Sequence, residues 1–367
     1  MIRVPFLDLA ALHAELRDEL ETAMERVLRS GWYLRGPEVA AFETEFAALC
    51  EVDGAVGVAN GLEALELTLL GLGIGGGDEV IVSAHTAIAT WLAISHTGAR
   101  PVPVEPDART MQIDPAGAEA AIGPRTAAIV PVHLYGMPAD MERLSAIARQ
   151  HGLALVEDAA QAHGSRIAGR PVGSYGDAGA FSLYPTKNLG ALGDAGIVVS
   201  SDRSLLGRVR MLANYGERQR HDSEARGFNS RLDELQAAAL RVKLRQLERW
   251  NVLRRNRAGT YLRELARVSQ VVVPETTAGA LPVWHQFVVR VAERDAVREK
   301  LARRGIECLV HYPTPPHRSR AYAADYPQPL PVTECLAASV LSLPISPPLG
   351  EDACRRVCEA LADSVQP

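Results

Sequence analysis

Lys187 and Asp158 are the two residues of this sequence whose types and positions best suit chemistry. Lys187 follows the apolar run 178–183, which predicts a buried strand, and a turn predicted at 188–190 keeps it just beyond the strand end. A lysine at the end of a core strand is partly desolvated, so its amine is less often charged and more nucleophilic. Asp158 follows a second apolar run, 153–156, in the same way.

An amine and a carboxylate delivered by two strand ends are the groups that pyridoxal 5'-phosphate (PLP) requires of a protein. The amine reacts with the aldehyde of the cofactor, and the acid pairs with its ring nitrogen. Each residue also has an ordinary alternative, because most lysines after strands are solvated and Asp158 alone could cap a loop. The pair therefore suggests the hypothesis of a PLP enzyme. The sequence segments around the two residues are needed to choose between this hypothesis and the ordinary alternatives.

The size and composition of the chain set the broad class. A chain of 367 residues is too long for one simple core, and we expect a large PLP-binding domain over 1–245 and a small C-terminal domain over 246–367. The net charge of -5 argues against a dedicated nucleic-acid binder, and no apolar stretch approaches the roughly 20 residues of a membrane span. The segment 1–5 lacks a signal-peptide pattern, and the five cysteines are scattered without metal-site spacing, so we expect a reduced, cytoplasmic protein without metal.

Strand-like and helix-like segments alternate between about residues 40 and 200. Continuous apolar strands separated by helices indicate an α/β fold, with a mostly parallel sheet covered on both faces. Functional groups of such a sheet lie at the carboxyl ends of its strands, where Asp158 and Lys187 fall. The predicted strands are 55–59, 79–82, 100–104, 127–132, 153–156, 178–183 and 196–200, and the predicted helices are 62–70, 88–96 and 141–151.

A different pattern begins near residue 229. Apolar residues spaced along 232–250 predict one face of a single long helix, which leads into a smaller α+β lobe. In that lobe we expect strands 283–291 and 305–310, helices 294–304 and 333–340, and a proline-rich loop at 313–316.

One glycine motif is rejected. Residues 71–76 satisfy the GxGxxG pattern of dinucleotide-binding sites. They follow a predicted helix and precede a predicted strand, which reverses the strand–turn–helix order that such a site needs. We interpret them as an ordinary connecting loop.

Several segments spread along the chain resemble the DegT/StrS family of PLP-dependent sugar aminotransferases. The resemblance implies the fold of the aspartate-aminotransferase-like PLP enzymes (fold type I) and runs nearly from end to end. The matching segments are 6–9, 31–39, 59–65, 131–136, 155–164, 181–199, 229–236 and 311–313.

The strand, turn and helix start around Asn60 suit a phosphate group, because the first N–H groups of a helix attract anions. Asn60 acting only as a helix cap is the ordinary alternative. The resemblance implies that the amides of Gly61 and Leu62 hold the PLP phosphate together with Ser182. It also implies that Asn229 reaches this phosphate from a neighbouring subunit, which predicts a homodimer with shared active sites.

The remaining cofactor residues also follow from the resemblance. Asp158 should pair with the pyridine nitrogen, and Gln161 should bind the phenolic oxygen. Lys187 should hold the cofactor as a Schiff base and then shuttle a proton. His163 serves either packing or chemistry. Ala87 stands where the family often has an aromatic residue, so the side chain that stacks on the ring is not identified.

The resemblance further implies transfer of an amino group from an amino acid, with glutamate expected, to a nucleotide-linked keto sugar. Four segments match the branch that acts on 3-keto-6-deoxyhexoses. Tyr184 and His311 match sugar-contacting residues, although a core tyrosine and a loop histidine are alternatives. The four segments are 84–93, 183–188, 190–194 and 309–317.

Tyr215 and Arg218 lie in the basic segment 214–221, which suits a nucleotide diphosphate as well as it suits a solvated loop. Trp32 and Tyr33 are candidates to line the channel of the sugar nucleotide.

Three alternatives remain at this point. The chain could instead aminate C-4 of a dTDP- or UDP-linked 4-keto sugar. It could be a sugar dehydratase of the same fold, although such enzymes have a histidine in place of Lys187. It could also be a non-catalytic sensor of PLP or of a sugar nucleotide, which would have no need of a Schiff-base lysine.

Overall fold

A seven-stranded sheet organises the N-terminal part of the chain in a computed structural model that describes residues 4–366. Residues 1–3 and 367 lie outside the described residues, and with them most of the segment 1–5 on which the signal-peptide prediction rests. The strands are β1 (Gly54–Val58), β2 (Glu79–Ser83), β3 (Arg100–Val104), β4 (Thr126–Val130), β5 (Ala154–Asp158), β6 (Arg166–Ile167), β7 (Arg170–Pro171), β8 (Ala178–Ser182), β9 (Gly196–Ser200), β10 (Glu217–Gln219), β11 (Asp222–Ser223), β12 (Val271–Val272), β13 (Ala280–Leu281), β14 (Phe287–Val291) and β15 (Val340–Leu343).

The central sheet has the strand order β1-β9-β8-β5-β4-β2-β3. Only β9 runs antiparallel to its neighbours, so the mostly parallel α/β fold is confirmed. All seven predicted strands are present, with ends that differ by two residues at most. Because β5 and β8 are parallel neighbours, their carboxyl ends bring Asp158 and the segment after Ser182 to one edge of the sheet.

Helices cover both faces of this sheet. Along β2, Val80 and Val82 join one buried cluster with α4, α5 and α8, whereas Ile81 joins another with α6 and α7. Alternate residues are thus buried on opposite sides, which explains why the strands are apolar throughout. The helices are α1 (Leu9–Ala14), α2 (Arg17–Ser30), α3 (Pro37–Leu49), α4 (Gly61–Gly71), α5 (Ile88–His96), α6 (Pro115–Ala120), α7 (Met141–His151), α8 (Arg203–Leu212), α9 (Glu234–Leu244), α10 (Leu247–Leu265), α11 (Arg294–Arg303), α12 (Pro331–Ser339) and α13 (Glu351–Ser364).

A second core lies in the C-terminal part. Its antiparallel sheet has the order β12-β14-β15 and packs against α10, α11 and α13. Tyr261 of α10 and Phe287 of β14 contact each other with ring centroids 4.9 Å apart. The expected boundary between residues 245 and 246 falls at the junction of α9 and α10, and the division into two domains stays a prediction.

The prediction of one long helix over 232–250 is wrong. The chain forms α9 and α10, which are separated at Arg245 and Gln246. The break has a packing reason, since α9 buries Ala238 and Ala239 against α2, whereas α10 turns toward the C-terminal core and buries Tyr261 there.

Two strand predictions in the C-terminal part need correction. The strand expected at 283–291 begins only at Phe287, because Trp284 has a left-handed φ of 46° and Gln286 donates to the Tyr135 carbonyl at 3.2 Å. The segment 305–310 forms isolated bridges, at Ile306 and Leu309, instead of a strand. The helix expected at 333–340 is α12, and strand β15, which was not predicted, follows it directly.

The glycine motif at 71–76 lies between the end of α4 and the start of β2, as predicted, and Gly73 turns the chain there with a φ of 81°. Within residues 4–366, none of the helices is both long enough and apolar enough to cross a bilayer.

Candidate active site

Lys187 lies in a closed loop that follows β8. The Ala191 N–H donates to the Leu183 carbonyl at 2.8 Å and joins the two ends of the loop, and the Lys187 N–H donates to the Tyr184 carbonyl at 2.9 Å. Gly190 permits this closure, because a Cβ there would lie 2.3 Å from the Pro185 carbonyl oxygen. The backbone around Lys187 is therefore fixed by the loop itself.

Two buried side chains anchor this loop to the rest of the molecule. Asn188 donates to the Asn251 side chain at 3.1 Å and to the Val283 carbonyl at 3.0 Å, and its oxygen lies 3.2 Å from His285 Nδ1. Lys243 of α9 donates to the Gly190 carbonyl at 2.7 Å. Neither anchor was predicted from the sequence, although Asn188 directly follows Lys187.

The surroundings of Lys187 favour its uncharged amine. Burial lowers the pKa of Lys187 to about 8, and the Asp158 carboxylate opposes this effect by favouring the ammonium. The amine is thus nucleophilic near neutral pH to a degree that a solvated lysine is not. Lys187 and Asp158 are thus close enough for their charges to influence each other, and their assignment to one catalytic site stays a prediction.

Asp158 is buried and held by two donors. The Thr90 hydroxyl donates to its Oδ2 at 2.8 Å, and the Ala160 N–H donates to its Oδ1 at 3.1 Å. Thr90 lies 3.1 Å from the hydroxyl of Thr86. Burial raises the pKa of Asp158, and these hydrogen bonds together with Lys187 act in the opposite direction. A cation placed beside such a carboxylate would be strongly favoured.

Glu157, the neighbour of Asp158, has a purely structural environment. Its carboxylate lies 3.0 Å from His133 Nε2. It also accepts the N–H groups of Gly173, Tyr175 and Gly176 at 2.7 to 3.0 Å. The two adjacent acids therefore have different roles. Glu157 holds nearby backbone, and Asp158 is the acid whose charge influences Lys187.

Gln161 is oriented by two tyrosines. Its side-chain oxygen accepts the Tyr135 N–H at 2.5 Å, and its nitrogen donates to the Tyr312 hydroxyl at 3.1 Å. The carboxamide NH₂ group has two hydrogens, so one remains for a ligand. The Tyr135 hydroxyl donates to the His311 carbonyl, which connects this side of the site to His311.

The start of α4 approaches the end of β8. The Asn60 side chain accepts the Glu63 N–H at 2.9 Å and its carbonyl accepts the Ala64 N–H at 3.0 Å, so Gly61 and Leu62 keep the N–H groups without an intrahelical acceptor. A Cβ on Gly61 would lie 2.5 Å from the Cβ of Ser182. Both predicted roles of Asn60, as cap and as the start of an anion site, are compatible with this geometry.

The two histidines of the site differ in surroundings. His163 Nε2 donates to the Ser182 carbonyl at 2.8 Å, and its ring packs against Phe46 and Phe181, which favours the packing role. His311 is half-buried, and its Nδ1 lies 2.8 Å from the Ser342 hydroxyl. Burial and the nearby Lys187 lower the pKa of His311 to about 4, so its imidazole is neutral at physiological pH.

Tyr184 in the lysine loop and Ala87 just before α5 are both accessible to solvent, at least in part. Tyr184 is 50% exposed and free to contact a ligand. Ala87 precedes α5 and is half-buried, and the exposed side chain of Ile88 follows it. Ala87 has no aromatic ring, so the side chain that stacks on the cofactor ring stays unassigned.

The other predicted site residues form a second group. Asn229 pairs with Asn214 in a β-bridge, and the Arg231 guanidinium lies over the Tyr215 ring, 5.5 Å from its centroid. Arg218 forms an ion pair with Glu224 at 2.7 Å. Asn229, Tyr215 and Arg218 thus contact neighbours in the segment 214–231, and none of these contacts involves Lys187.

The side chains of Trp32, Tyr215, Arg218 and Asn229 are all exposed, with Trp32 at 59%. The segment that holds Trp32 is fixed by Glu234, whose buried carboxylate accepts the N–H groups of Gly36 and Val39 at 2.8 and 2.9 Å. A fixed backbone with exposed side chains suits contact with another molecule.

The residues around Lys187 fit PLP. The free N–H groups at the start of α4 suit a phosphate, the buried Asp158 suits a protonated ring nitrogen, and Lys187 supplies an amine with a lowered pKa. The donors and acceptors are complementary to three separate parts of the cofactor, which makes a chance arrangement a poor explanation.

Comparison with known proteins agrees with this arrangement. Residues 14–362 match the DegT/DnrJ/EryC1/StrS aminotransferase family. The chain is 56% identical over 360 residues to the erythromycin biosynthesis sensory transduction protein EryC1 of Saccharopolyspora erythraea, which covers 98% of both proteins. It is 54% identical to the dTDP-3-amino-3,4,6-trideoxy-alpha-D-glucose transaminase of Streptomyces venezuelae, with 98% of this chain and 96% of the relative covered.

Among solved structures, S. venezuelae DesV in complex with a ketimine intermediate superposes with a TM-score of 0.98. The two chains are 53% identical, and each is covered completely.

Proposed function

Because the chain belongs to the DegT/DnrJ/EryC1/StrS aminotransferase family, we propose that it is a PLP-dependent enzyme that aminates C-3 of a dTDP-linked 3-keto-6-deoxyhexose. The cofactor proposal rests on the half-buried Lys187, whose pKa is lowered, and on the buried Asp158 near it. The proposed substrate rests on the 54% identity, over nearly the whole of both chains, to a transaminase named for a 3-amino sugar.

Bound PLP supplies an aldehyde that condenses with amines and a ring that withdraws electrons from the neighbouring carbon. Asp158 keeps the ring nitrogen protonated, and Thr90 and the Ala160 N–H hold the carboxylate in place for this task. Gln161 donates its free N–H to the phenolic oxygen. Gly61, Leu62 and Ser182 bind the phosphate, where the unbonded helix N–H groups and the serine hydroxyl meet.

Lys187 has two tasks in this proposal. With PLP present, its Nζ would hold the cofactor covalently, and the free amine would serve as the general base that accepts the proton from the substrate Cα. Because the pKa of Lys187 is lowered to about 8, about a tenth of its amine is uncharged and able to accept a proton at pH 7. The anchors at Asn188 and Gly190 hold the loop while the side chain moves between these tasks.

The acceptor sugar lies against Tyr184 and His311. The neutral imidazole of His311 can accept or donate a hydrogen bond to a hydroxyl without adding a charge beside Lys187. Trp32, Tyr215 and Arg218 contact the nucleotide diphosphate, since they combine exposed aromatic rings with a guanidinium.

We assign Asn229 to the phosphate site of a neighbouring subunit, in a homodimer with shared active sites. The support is its exposure, together with the exposed aromatic rings of Trp32, Tyr33 and Tyr215, which a partner chain would cover. L-Glutamate is the proposed amine donor.

Two absorbance experiments test the function. Enzyme loaded with PLP should change its spectrum when L-glutamate is added, and the aminated form should then react with a dTDP-3-keto-6-deoxy sugar. A faster reaction with a dTDP-4-keto or UDP-4-keto sugar would move the assignment to C-4.

A non-catalytic sensor is the second candidate, because one relative at 56% identity is named a sensory transduction protein. A sensor has no use for a lysine with a lowered pKa beside a buried acid, which favours the enzyme. A PLP-loaded protein whose spectrum responds to none of the amino acids offered as donors would support the sensor instead.

A further inference from the structure

Tyr135 is a buried residue whose polar contacts reach two different parts of the candidate site. It lies beyond the end of β4, is 4% exposed and has a left-handed φ of 63°. A bulky residue rarely adopts this conformation, and the conformation persists only where surrounding contacts fix it. The neighbours of Tyr135 therefore determine its position.

The backbone of Tyr135 contacts the cofactor side of the site. Its N–H donates to the Gln161 side chain at 2.5 Å, and its carbonyl accepts the Gln286 N–H at 3.2 Å. Gln161 is the residue assigned to the phenolic oxygen of PLP. The backbone of Tyr135 thus orients a proposed ligand of the cofactor.

The hydroxyl of Tyr135 contacts the sugar side of the site. Burial raises the pKa of Tyr135 well above its ordinary range, so the hydroxyl keeps its proton, which it donates to the His311 carbonyl. His85 Nε2 lies 2.8 Å from the same hydroxyl oxygen. Because the hydroxyl proton is already used, the His85 imidazole, which burial keeps neutral by lowering its pKa to about 4, donates from Nε2. Hydrogen bonds thus run from His85 through Tyr135 to His311.

The imidazole of His311 is held from two further directions. Its Nδ1 lies 2.8 Å from the Ser342 hydroxyl, and its ring packs against Phe6 with centroids 5.8 Å apart. Nδ1 is thus occupied, so Nε2 is the nitrogen that can face a ligand. A shift of the His311 carbonyl would move this nitrogen with it.

We propose that Tyr135 is a positioning residue for the reaction with the sugar: its hydroxyl holds His311 in place for the sugar while its backbone orients Gln161 for the cofactor. The inference rests on the proposed function, in which His311 contacts the sugar. One residue in an unusual conformation thereby sets the spacing between a cofactor ligand and a sugar ligand.

The hydroxyl of Tyr135 is not needed to fill space. An apolar ring alone would serve the packing of this region, and a buried hydroxyl is costly unless it is hydrogen-bonded. The hydroxyl adds the contacts to His85 and His311. The ring packs in a buried apolar cluster that contains Met111, Val132, Leu134, Val288, Leu336 and Val340.

The variant Tyr135→Phe tests the proposal, because it removes the hydroxyl and keeps the ring and the backbone N–H. We expect kcat/KM for the reaction of the aminated enzyme with the keto sugar to fall about 10- to 100-fold, as expected when a substrate ligand is displaced. The half-reaction with L-glutamate and the absorbance of the PLP-loaded enzyme should stay unchanged, since Gln161 keeps its donor.

Tyr261→Phe is the matched control. Tyr261 is also buried, and its hydroxyl donates to the Pro344 carbonyl at 2.6 Å. Both variants lose a buried bond from a hydroxyl to a carbonyl, so both melting temperatures should fall, but Tyr261→Phe should keep the rates of both half-reactions. Equal slowing of the sugar reaction in the two variants would overturn the proposal, because a general loss of stability would then explain it.

A double-mutant cycle shows whether Tyr135 acts through His311. In the His311→Ala background, Tyr135→Phe should cause no further loss of kcat/KM for the sugar, because the imidazole that it positions is gone. Additive losses would overturn the proposal, as would an unchanged sugar reaction in Tyr135→Phe alone. A wild-type enzyme that aminates neither the 3-keto nor the 4-keto sugars would instead overturn the proposed function, so the two failures are distinguishable.

Discussion

At the scale of single residues, the lowered pKa of Lys187 has a direct consequence for the apoenzyme. Capture of PLP requires the uncharged amine, so its rate should rise as the pH increases and reach half its maximum near pH 8. Asp158→Asn removes the carboxylate that favours the ammonium, and the midpoint should then fall below that of the wild type. Stopped-flow absorbance between pH 6 and pH 10 measures both midpoints, and a midpoint near 10.5 would contradict the burial of the amine.

Replacement of the lysine separates binding from catalysis. Lys187→Ala should retain PLP non-covalently and lose turnover by about 100-fold to 10⁴-fold, the usual contribution of a general acid–base group. Turnover assays and spectra after gel filtration report the two effects. Lys300→Ala is the matched control, since the Lys300 amine is far from Lys187 in sequence and donates to the carbonyls of Ser364 and Gln366 near the C-terminus.

Thr90 acts through Asp158 and was missed in the sequence. Thr90→Val removes the donor at Asp158 Oδ2, so the pKa of Asp158 should rise further and PLP should bind about tenfold more weakly. Equilibrium dialysis of the cofactor measures the affinity. Thr86→Val, one step farther from the acid, should have a smaller effect, and an equal loss in both variants would argue against a specific role of Thr90.

At the scale of elements, α4 and β8 approach each other so closely at Gly61 that any side chain there should destabilise the fold. In Gly61→Ala, the added Cβ would lie 2.5 Å from the Ser182 Cβ and 2.8 Å from its Cα, so one element must move. We expect the free energy of unfolding to fall by about 1–3 kcal/mol and PLP binding to fall with it. Denaturant titration checks the first effect, and Gly76→Ala, where a Cβ meets no atom within 4 Å, should leave the stability unchanged.

The elements also show what could be predicted from the sequence. The strands of the central sheet are apolar because both faces are covered, so their positions were predictable from short apolar runs. The position of strand β15 was not predictable, since this strand follows helix α12 without a glycine or proline to mark the end of the helix. The start of β14 is delayed by the left-handed Trp284 and by the hydrogen bond from the Gln286 N–H to the Tyr135 carbonyl, about 150 positions earlier, which no local pattern contains.

The same limit applies to the site. Asp158 ends β5 and Lys187 lies beyond the end of β8, so apolar runs were enough to place both at strand ends. The resemblance to a family added Gly61, Gln161 and Ser182, whose roles stay predictions. Asn188 and Lys243 serve the loop through hydrogen bonds to distant residues, so only the folded chain reveals their tasks.

At the scale of the whole molecule, the proposed homodimer can be tested by complementation. Lys187→Ala should be nearly inactive. Asn229→Ala should bind PLP about 10- to 100-fold more weakly through loss of a hydrogen bond to a charged group, so it should be nearly inactive at a PLP concentration that only just saturates the wild type. Unfolding and refolding the two variants together should restore about one quarter of the wild-type activity, since half of the dimers are then hybrids with one intact site. Inactivity of the refolded mixture would mean that Asn229 serves its own chain.

The link from Asn188 to Asn251 and His285 ties the lysine loop to α10 and to the segment before β14. Catalytic competence is therefore a property of the C-terminal region as much as of the sheet that carries Lys187. If that region opens as a separate cooperative unit, the lysine loop loses its anchor while the central sheet is still folded. During gentle denaturation, the loss of activity should then coincide with the first hydrogen exchange in α10 and β14, and it should precede exchange in β4 and β5.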